Sequence, residues 1–243
     1  MEQIRISVAL ASYNGEKYIA SQLESILQNL SEQDEIVVSD DGSTDRTREI
    51  VTSFREKDAR IRLVDGPEQG IIANFEHALK ECRGAYLFLS DQDDVWAKDK
   101  VEKVMRAFEK EQVSLVIHDV EVRNESLEQV LMPSFFAYRG SGAGAFKNFC
   151  KNTYMGCAMA LKREVLSKIF PIPRDIQMHD QWIGILSDYY FGKSFFLKEP
   201  LLKYRRHEQN NSDFSRHGIL KMIQIRLLLA KRLLAQMKKL RKR

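Results

Sequence analysis

The sequence predicts an α/β fold built around a mostly parallel central sheet. Short β-branched runs alternate with helical patterns through the first half of the chain, and clusters of polar residues follow three of the predicted strands. The 243-residue chain is 44% hydrophobic and 30% charged, which is enough apolar sequence to bury a sizeable core. This length fits one large α/β domain with an appendage.

Each predicted element of the first half rests on a local pattern of β-branched runs or of helical apolar spacing. The predicted strands are 4–12, 35–39, 60–64, 86–90 and 114–118. The predicted helices are 16–28, 44–57, 71–82 and 98–109. Strands that alternate with helices of this length imply right-handed crossovers, so ligands are expected at the carboxyl ends of the strands.

The second half is less regular. Pro133 and three glycines make residues 124–152 a predicted long loop, and Gly140–Ala145 is interpreted as an acceptor loop because no strand precedes it as a dinucleotide fingerprint requires. A strand is expected over 153–161, helices over 163–169 and 179–189, and strands over 194–197 and 201–206. The composition changes near His217, which divides the chain into a domain over 1–216 and a basic amphipathic helix over 217–243.

The net charge of +4 is unevenly distributed along the chain. Residues 217–243 contain nine Lys and Arg residues and no acid, which leaves the rest of the chain at −5. A nucleic-acid binder is therefore not expected, because most of the surface would repel phosphate backbones. Three cysteines without paired spacing favour neither a disulfide framework nor a zinc site, and they fit a reducing cytoplasm. We see neither a signal peptide nor a run of about 18 apolar residues that would span a membrane.

The strongest site signal is the acidic cluster Asp91, Asp93 and Asp94, directly after the strand at 86–90. Carboxylates concentrated at a strand end repel one another unless a cation or hydrogen-bond donors neutralise them. Hard oxygen ligands suit Mg²⁺ or Mn²⁺ bound together with substrate phosphates. The alternative is that these acids cap the helix that starts near Lys98.

A second acidic pair, Asp40 and Asp41, follows the second predicted strand. Ser43 or Asp45 could cap the next helix, so Asp40 and Asp41 are not needed for capping. A carboxylate at this position can accept a hydrogen bond from the imide N–H of a pyrimidine or from ribose hydroxyls. Together with Tyr13, which follows the first strand, these clusters are expected to converge on one edge of the sheet.

Three motifs in this order resemble the family 2 glycosyltransferases, which have a GT-A fold. They are Ala-Ser-Tyr-Asn at 11–14, Ser-Asp-Asp-Gly-Ser-Thr-Asp at 39–45 and Ser-Asp-Gln-Asp-Asp-Val-Trp at 90–96. The resemblance covers about residues 4–210, and the third motif looks most like bacterial rhamnosyltransferases. Because the Gln-x-x-Arg-Trp element of processive synthases is absent, the resemblance implies transfer of a single sugar.

The resemblance also implies roles for individual residues. Ala11, Tyr13 and Asp41, with Asp40, would hold the nucleoside; Asp91 would contact the ribose or sugar, and Asp93 the Mg²⁺ or Mn²⁺ ion. Asp180, in the segment 178–182, would be the catalytic base, or else an N-cap of its helix. His207, in the segment 204–212, would contact the metal or diphosphate, or else lie in a solvated loop. The expected sugar and acceptor vicinity comprises Asp94, Trp96, Gly156, Cys157, Gln181, Trp182 and Arg205. Gly156 and Cys157 could equally serve packing, and Gln181 departs from the aromatic or hydrophobic residue of many relatives.

These residues predict an inverting, metal-dependent glycosyltransferase. It would move one sugar, such as L-rhamnose from a dTDP donor, to a glycan or lipid-linked acceptor in bacterial surface polysaccharide synthesis. A UDP-hexose or UDP-galactofuranose donor is an alternative, as is a non-catalytic nucleotide-sugar or glycan-binding module. A nucleotidyltransferase is disfavoured, because no Gly-rich basic loop follows the first strand.

The basic helix over 217–243 is amphipathic at 100° per residue. One broad apolar face is formed by Met222, Ile223, Leu227, Leu229, Ala230, Leu233, Leu234, Met237 and Leu240, although Arg226 interrupts it. An apolar face with a basic rim predicts contact with an anionic membrane, at the inner face of the cell membrane. Docking of the helix onto the protein's own core or onto a partner is the alternative.

Overall fold

The computed structural model describes residues 4–208, 210 and 218–242. Its strands are β1 Ile6–Ser12, β2 Glu35–Asp40, β3 Ile61–Asp65, β4 Tyr86–Ser90, β5 Val95–Trp96, β6 Leu115–Arg123, β7 Val130–Met132, β8 Met159–Lys162 and β9 Phe195–Arg205. Its α-helices are α1 Ile19–Leu27, α2 Thr47–Lys57, α3 Ile71–Glu81, α4 Lys100–Glu111, α5 Phe135–Arg139, α6 Ala145–Cys150, α7 Leu166–Ile169, α8 His179–Phe191 and α9 Ile219–Leu240. Short 3₁₀ turns cover Gly156–Ala158 and Arg163–Val165.

All of these strands join one sheet, in the order β3-β2-β1-β4-β8-β6-β9-β5, with β7 paired to β6. Strands β1, β2, β3, β4, β6 and β9 run in one direction, and β5, β7 and β8 run in the other. The predicted α/β class with a mostly parallel sheet is thus confirmed. Every residue of β1 and β2 is buried, which explains their near-continuous apolar sequence.

The second half of the chain contains more structure than predicted. Residues 124–152 are not one long loop, because they contain β7, α5 and α6. The Ser134 hydroxyl caps α5 by accepting from the amide of Ala137, and the buried carboxylate of Asp119 accepts from the amide of Phe136 at 2.9 Å. These helices are five and six residues long, too short to show apolar periodicity.

Two strand predictions were also inaccurate. The strand expected over 153–161 covers only Met159–Lys162, since a 3₁₀ turn occupies the three residues before it. The strands expected over 194–197 and 201–206 form the single strand β9, whose pairing with β6 shifts register near Pro200. That irregularity lets a strand contain proline.

Helix α9 docks on the body of the protein. Leu229, Leu233 and Gln236 are buried, and the side-chain amide of Gln236 donates to the carbonyls of Lys168 and Phe170 at 2.9 and 3.0 Å. Of the residues expected on the apolar face, Leu229 and Leu233 pack inward and Ile223, Leu227 and Leu234 are exposed, so the helix docks on the protein's own core, which was the alternative expectation. The proposed boundary at 216/217 lies outside the described residues. Among the described helices, none has the length and apolar content to cross a bilayer.

The docking of α9 can be tested with two adjacent leucines. We expect Leu233→Asp, at a site 6% exposed, to release α9, because a carboxylate would replace an apolar contact. Hydrogen exchange over 229–240 should then accelerate by about tenfold or more. The matched control is Leu234→Asp, at a site 67% exposed, which should leave exchange unchanged. Equal protection in the two variants would contradict the docked position.

Candidate functional site

The site lies at the carboxyl ends of β1, β2 and β4, which are adjacent in the sheet. Ser12 and Asp40 are register partners at the ends of β1 and β2. The side chain of Gln92 ties the loop after β4 to the loop after β1. It accepts from the amide of Tyr13 at 2.8 Å and donates to the carbonyl of Tyr13 at 2.9 Å. The structure therefore brings the three polar clusters together.

Both carboxylate oxygens of Asp40 accept hydrogen bonds from groups within the protein. It accepts from the Ser12 hydroxyl at 3.1 Å, from the amide of Ser43 at 3.0 Å and from the Arg48 guanidinium at 3.2 Å. Its side chain is buried, at 1% exposure. Asp40 thus fastens the loop after β2 to the end of β1.

The carboxylate of Asp41 differs from that of Asp40. Its Oδ2 accepts from the amide of Gly70 at 2.7 Å, at the start of α3, whereas its buried Oδ1 makes no hydrogen bond to any described residue. A buried carboxylate oxygen without a partner is costly unless a ligand satisfies it. Ala11 is nearly buried in β1 and the Tyr13 side chain is exposed, at the same edge of the sheet.

Asp93 meets His207 across the fold. His207 Nε2 lies 2.8 Å from Asp93 Oδ2, and the imidazole ring lies 4.9 Å from the ring of Tyr18, the residue before α1. Asn210 orients the histidine, because its Oδ1 accepts from the His207 amide at 2.7 Å. His207 and Asn210 line an open cleft of about 560 Å³ together with Glu125, Arg206 and Glu208.

Arg205, the last residue of β9, holds the acidic loop in place. Its amide donates to Asp94 Oδ1 at 3.0 Å, and its Nε donates to the carbonyl of Asp93 at 2.8 Å. The guanidinium lies 4.7 Å from the centre of the Tyr18 ring, a cation–π contact. Arg205 therefore positions the acidic loop through backbone and ring contacts.

Asp91, Asp94 and Cys157 place ligand atoms within 4.8 Å of one another. Burial and the charges of Asp93 and Asp180 raise the pKa of Asp91 to about 7. Burial and the neighbouring acids also raise the pKa of Asp94 well above its usual value, and Asp94 Oδ2 is an unpartnered buried oxygen among the described residues. Because burial raises the pKa of the Cys157 thiol well above 9.0, this group is protonated and a poor metal ligand.

The available donors fit a hard divalent cation. Asp93 offers a carboxylate oxygen and His207 an imidazole nitrogen, 2.8 Å apart, and in the same loop Asp91 and Asp94 place carboxylate oxygens within 4.8 Å of each other. Mg²⁺ and Mn²⁺ prefer oxygen ligands, and Mn²⁺ also accepts imidazole. Such a cation would also relieve the mutual repulsion of these carboxylates.

The sequence analysis missed Lys100, a fully buried lysine beside this cluster. Its ammonium donates to the carbonyl of Cys157 at 3.1 Å and lies 3.7 Å from the centre of the Trp96 ring. Burial lowers its pKa to about 7, against the opposing effect of Asp94 and Asp91. One signal was available: Lys100 begins α4, where a cation opposes the helix dipole and therefore needs another stabilising charge.

Asp180 lies in the first turn of α8 but is not its N-cap, which is Met178. The side-chain amide of Asn152 donates to Asp180 Oδ1 at 3.0 Å, and the amide of Gln181 donates to the same oxygen. Burial raises the pKa of Asp180 to about 6. Its charge also raises the pKa of Asp91, so the two carboxyl groups lie near each other.

Several residues expected near the sugar or acceptor pack within the protein instead. Trp182 is fully buried and donates its indole N–H to the carbonyl of Ile169 at 2.8 Å. Gln181 donates to the carbonyl of Asn148 at 2.7 Å, and Trp96 is buried against Lys100. A Cβ on Gly156 would lie 2.8 Å from His179 Nε2, so close packing explains this glycine. These packing contacts involve Trp96, Gly156, Gln181 and Trp182, and their place in the sugar and acceptor vicinity stays a prediction.

The chain has a mixed sheet with carboxylates at the carboxyl ends of its parallel strands. It has the GT-A fold of sugar-nucleotide transferases. The sequence profile of glycosyl transferase family 2 matches residues 7–170, and the chain belongs to this family. The protein is therefore a glycosyltransferase, as the resemblance implied.

Curated relatives are bacterial glycosyltransferases. An uncharacterized glycosyltransferase of Nostoc sp. is 28% identical over 222 residues, covering 86% of this chain and 66% of that protein. WfgD of Escherichia coli, a UDP-Glc:alpha-D-GlcNAc-diphosphoundecaprenol beta-1,3-glucosyltransferase, is 27% identical, covering 77% of this chain and 72% of its own length. The dTDP-rhamnosyl transferase RfbG of Shigella flexneri is 27% identical, covering 83% and 72%.

Solved structures share the fold at low identity. The structure of S. aureus TarS 1-349 in complex with UDP-GlcNAc superposes with a TM-score of 0.72 at 18% identity, covering 91% of this chain and 64% of that one. The mannosyltransferase PcManGT from Pyrobaculum calidifontis, in complex with GDP-Man and Mn2+, gives a TM-score of 0.60 at 19% identity, covering 87% and 59%. The chain thus spans about two thirds or less of these two proteins.

The role of Lys100 can be tested by stability measurements. We expect Lys100→Met to lower the free energy of unfolding by about 3 kcal/mol, because it leaves buried carboxylates without their internal counter-ion. Urea denaturation without divalent ions measures this change. The matched control is Lys98→Met at an exposed site, which should leave stability unchanged. Equal stability of the two variants would show that Lys100 does not offset the acidic cluster.

Proposed function

We propose that the protein is an inverting, metal-dependent glycosyltransferase that moves one sugar from a nucleoside diphosphate donor. The proposal is supported by Asp41 and the Asp93–His207 pair following adjacent strand ends, and by the charge of Asp180 acting on Asp91. Family membership supplies the reaction class. The relatives WfgD and RfbG support a role in bacterial surface polysaccharide synthesis.

The nucleoside is proposed to bind against Asp41. Its unpartnered Oδ1 would accept from the imide N–H of a pyrimidine, a donor present in uracil and thymine alike. Ala11 and Tyr13 would contact the base and ribose from the end of β1. In this proposal Asp40 positions the loop and does not touch the nucleotide.

Asp93 and His207 are proposed to hold the cation that accompanies the diphosphate, with Asp91 toward the ribose or sugar. When bound, Mg²⁺ or Mn²⁺ would offset the negative charge of the departing nucleoside diphosphate. Arg205 holds the backbone of Asp93 and the side chain of Asp94, so the ligands are fixed before substrate arrives. Cys157 and Asp94 then line the inner wall of this site.

Asp180 is proposed to act as the general base. An acceptor hydroxyl has a pKa far above 7 and needs a base within hydrogen-bond reach. Asp180 would take that proton while the acceptor oxygen attacks the anomeric carbon and the bond from that carbon to the diphosphate oxygen breaks. Because attack occurs on the face opposite the leaving group, configuration inverts. Asn152 holds the carboxylate in place by its hydrogen bond.

We propose that the donor is dTDP-rhamnose and the transferred sugar L-rhamnose. The motif at 90–96 and the similarity to RfbG support this choice. UDP-hexose and UDP-galactofuranose are the alternatives. The acceptor is proposed to be a glycan or lipid-linked saccharide, in line with the diphosphoundecaprenol acceptor in the name of WfgD. The enzyme would work in the cytoplasm at the inner face of the membrane, with the basic segment 217–243 in peripheral contact with anionic lipid.

The function can be tested by replacing the proposed base. We expect Asp180→Asn to lower sugar transfer by about 10²- to 10⁴-fold with little change in donor affinity. A base acts only when it is deprotonated, so the wild-type rate should fall as pH drops through about 6 and should level off above it. Asp99→Asn, in an ion pair at the surface, is the control.

The assay is donor turnover and transfer, measured by mass spectrometry over a panel of nucleotide sugars and acceptors. Transfer that survives in Asp180→Asn with an unchanged pH profile would remove Asp180 from the mechanism. Donor binding without turnover in the wild type would favour a binding module.

A further inference from the structure

The segment around α5 and α6 exposes large apolar side chains outside the proposed nucleotide site. Residues 129–152 contain three basic residues and no acid. Within this segment Leu131, Tyr138 and Phe146 are 50%, 60% and 81% exposed. We call Tyr138 in α5 and Phe146 in α6, with Leu131 in the preceding strand β7, the α5–α6 patch. Large apolar side chains exposed within one acid-free segment indicate an interaction surface.

The α5–α6 patch is built on the same frame as Asp180. The side chain of Asn152, just after α6, donates to the carboxylate of Asp180, and Gln181 donates to the carbonyl of Asn148 within α6. The amide of Gly144 donates to Asp188, two turns further along α8, at 2.7 Å. The patch therefore belongs to the side of the molecule where the proposed acceptor would arrive.

Helix α9 adjoins this segment. The guanidinium of Arg226 donates to the carbonyl of Cys150, the last residue of α6. The face of α9 turned away from the body carries exposed Leu220, Ile223, Leu227 and Leu234. Residues 218–242 contain eight basic residues and no acid. Two acid-free segments with exposed apolar side chains therefore meet at this hydrogen bond.

The chemistry of the combined surface selects one kind of occupant. Exposed leucine and aromatic side chains with lysine and arginine between them suit the headgroup and acyl boundary of an anionic bilayer. A second copy of the same face would bring like charge against like charge. A soluble glycan offers neither an apolar phase nor dense negative charge.

We propose that the α5–α6 patch and the outward face of α9 form one membrane-contacting surface, so that the acceptor reaches Asp180 as a lipid-linked saccharide held in that bilayer. The inference rests on the proposed function for the role of Asp180. The surface itself depends only on exposure, charge and the contact between Arg226 and Cys150. Lipid contact through α9 alone would not involve the α5–α6 patch.

The test is hydrogen exchange of the full chain with and without lipid vesicles. With vesicles of about three parts phosphatidylcholine to one part phosphatidylglycerol, we expect protection of both 135–150 and 218–240. Vesicles of phosphatidylcholine alone should protect neither segment. Protection confined to 218–240, or equal protection by the two vesicle types, would overturn the proposal.

Variants at exposed positions give a second measurement. Tyr138→Ser combined with Phe146→Ser should weaken vesicle partitioning about tenfold or more, because two interfacial aromatic groups are lost. The matched control is Ile71→Ser, also at an exposed apolar site but on α3, which should partition as the wild type does. Unchanged partitioning of the double variant would contradict the inference. Donor turnover, measured separately, decides the transferase proposal whatever the vesicle result.

Discussion

The repulsion among buried carboxylates at the carboxyl edge of the sheet is the constraint on which this structure depends. Burial and the charges of Asp93 and Asp180 raise the pKa of Asp91, and burial and the charges of Asp93 and Asp91 raise the pKa of Asp94. The protein offsets part of this charge with the buried ammonium of Lys100. Asp94 Oδ2 and Asp41 Oδ1 remain unsatisfied, and a cation and a nucleoside would complete them.

The sheet topology brings distant segments of the chain to this edge. Strands β1, β2 and β4 end there by parallel order, while β9 returns from the second half of the chain to deliver Arg205 and His207. Helix α8 supplies Asp180 from a third direction. The candidate site groups thus lie on α8 or directly after strand ends, and hydrogen bonds to backbone fix the acidic loop in place.

The first half of the fold and the site clusters at Asp41 and Asp91 could be predicted because parallel strands place their carboxyl ends together. The pairing of Asp93 with His207 was expected only from the family resemblance, since 114 residues separate them. Lys100 was missed because a lysine at a helix start normally lies in solvent. Docking of α9 was expected only as the alternative to membrane contact, because its apolar residues occupy two faces and the sequence does not say which one packs inward.

Nucleoside diphosphate binding measured by calorimetry, with and without Mn²⁺, tests the central claim that these carboxylates hold a metal and a nucleotide. The account predicts that UDP or dTDP binds at least about tenfold more tightly with Mn²⁺, that Asp93→Asn abolishes this gain, and that Asp41→Asn weakens binding under both conditions. Equal affinity with and without Mn²⁺ in the wild type, together with unchanged affinity in Asp41→Asn, would contradict it.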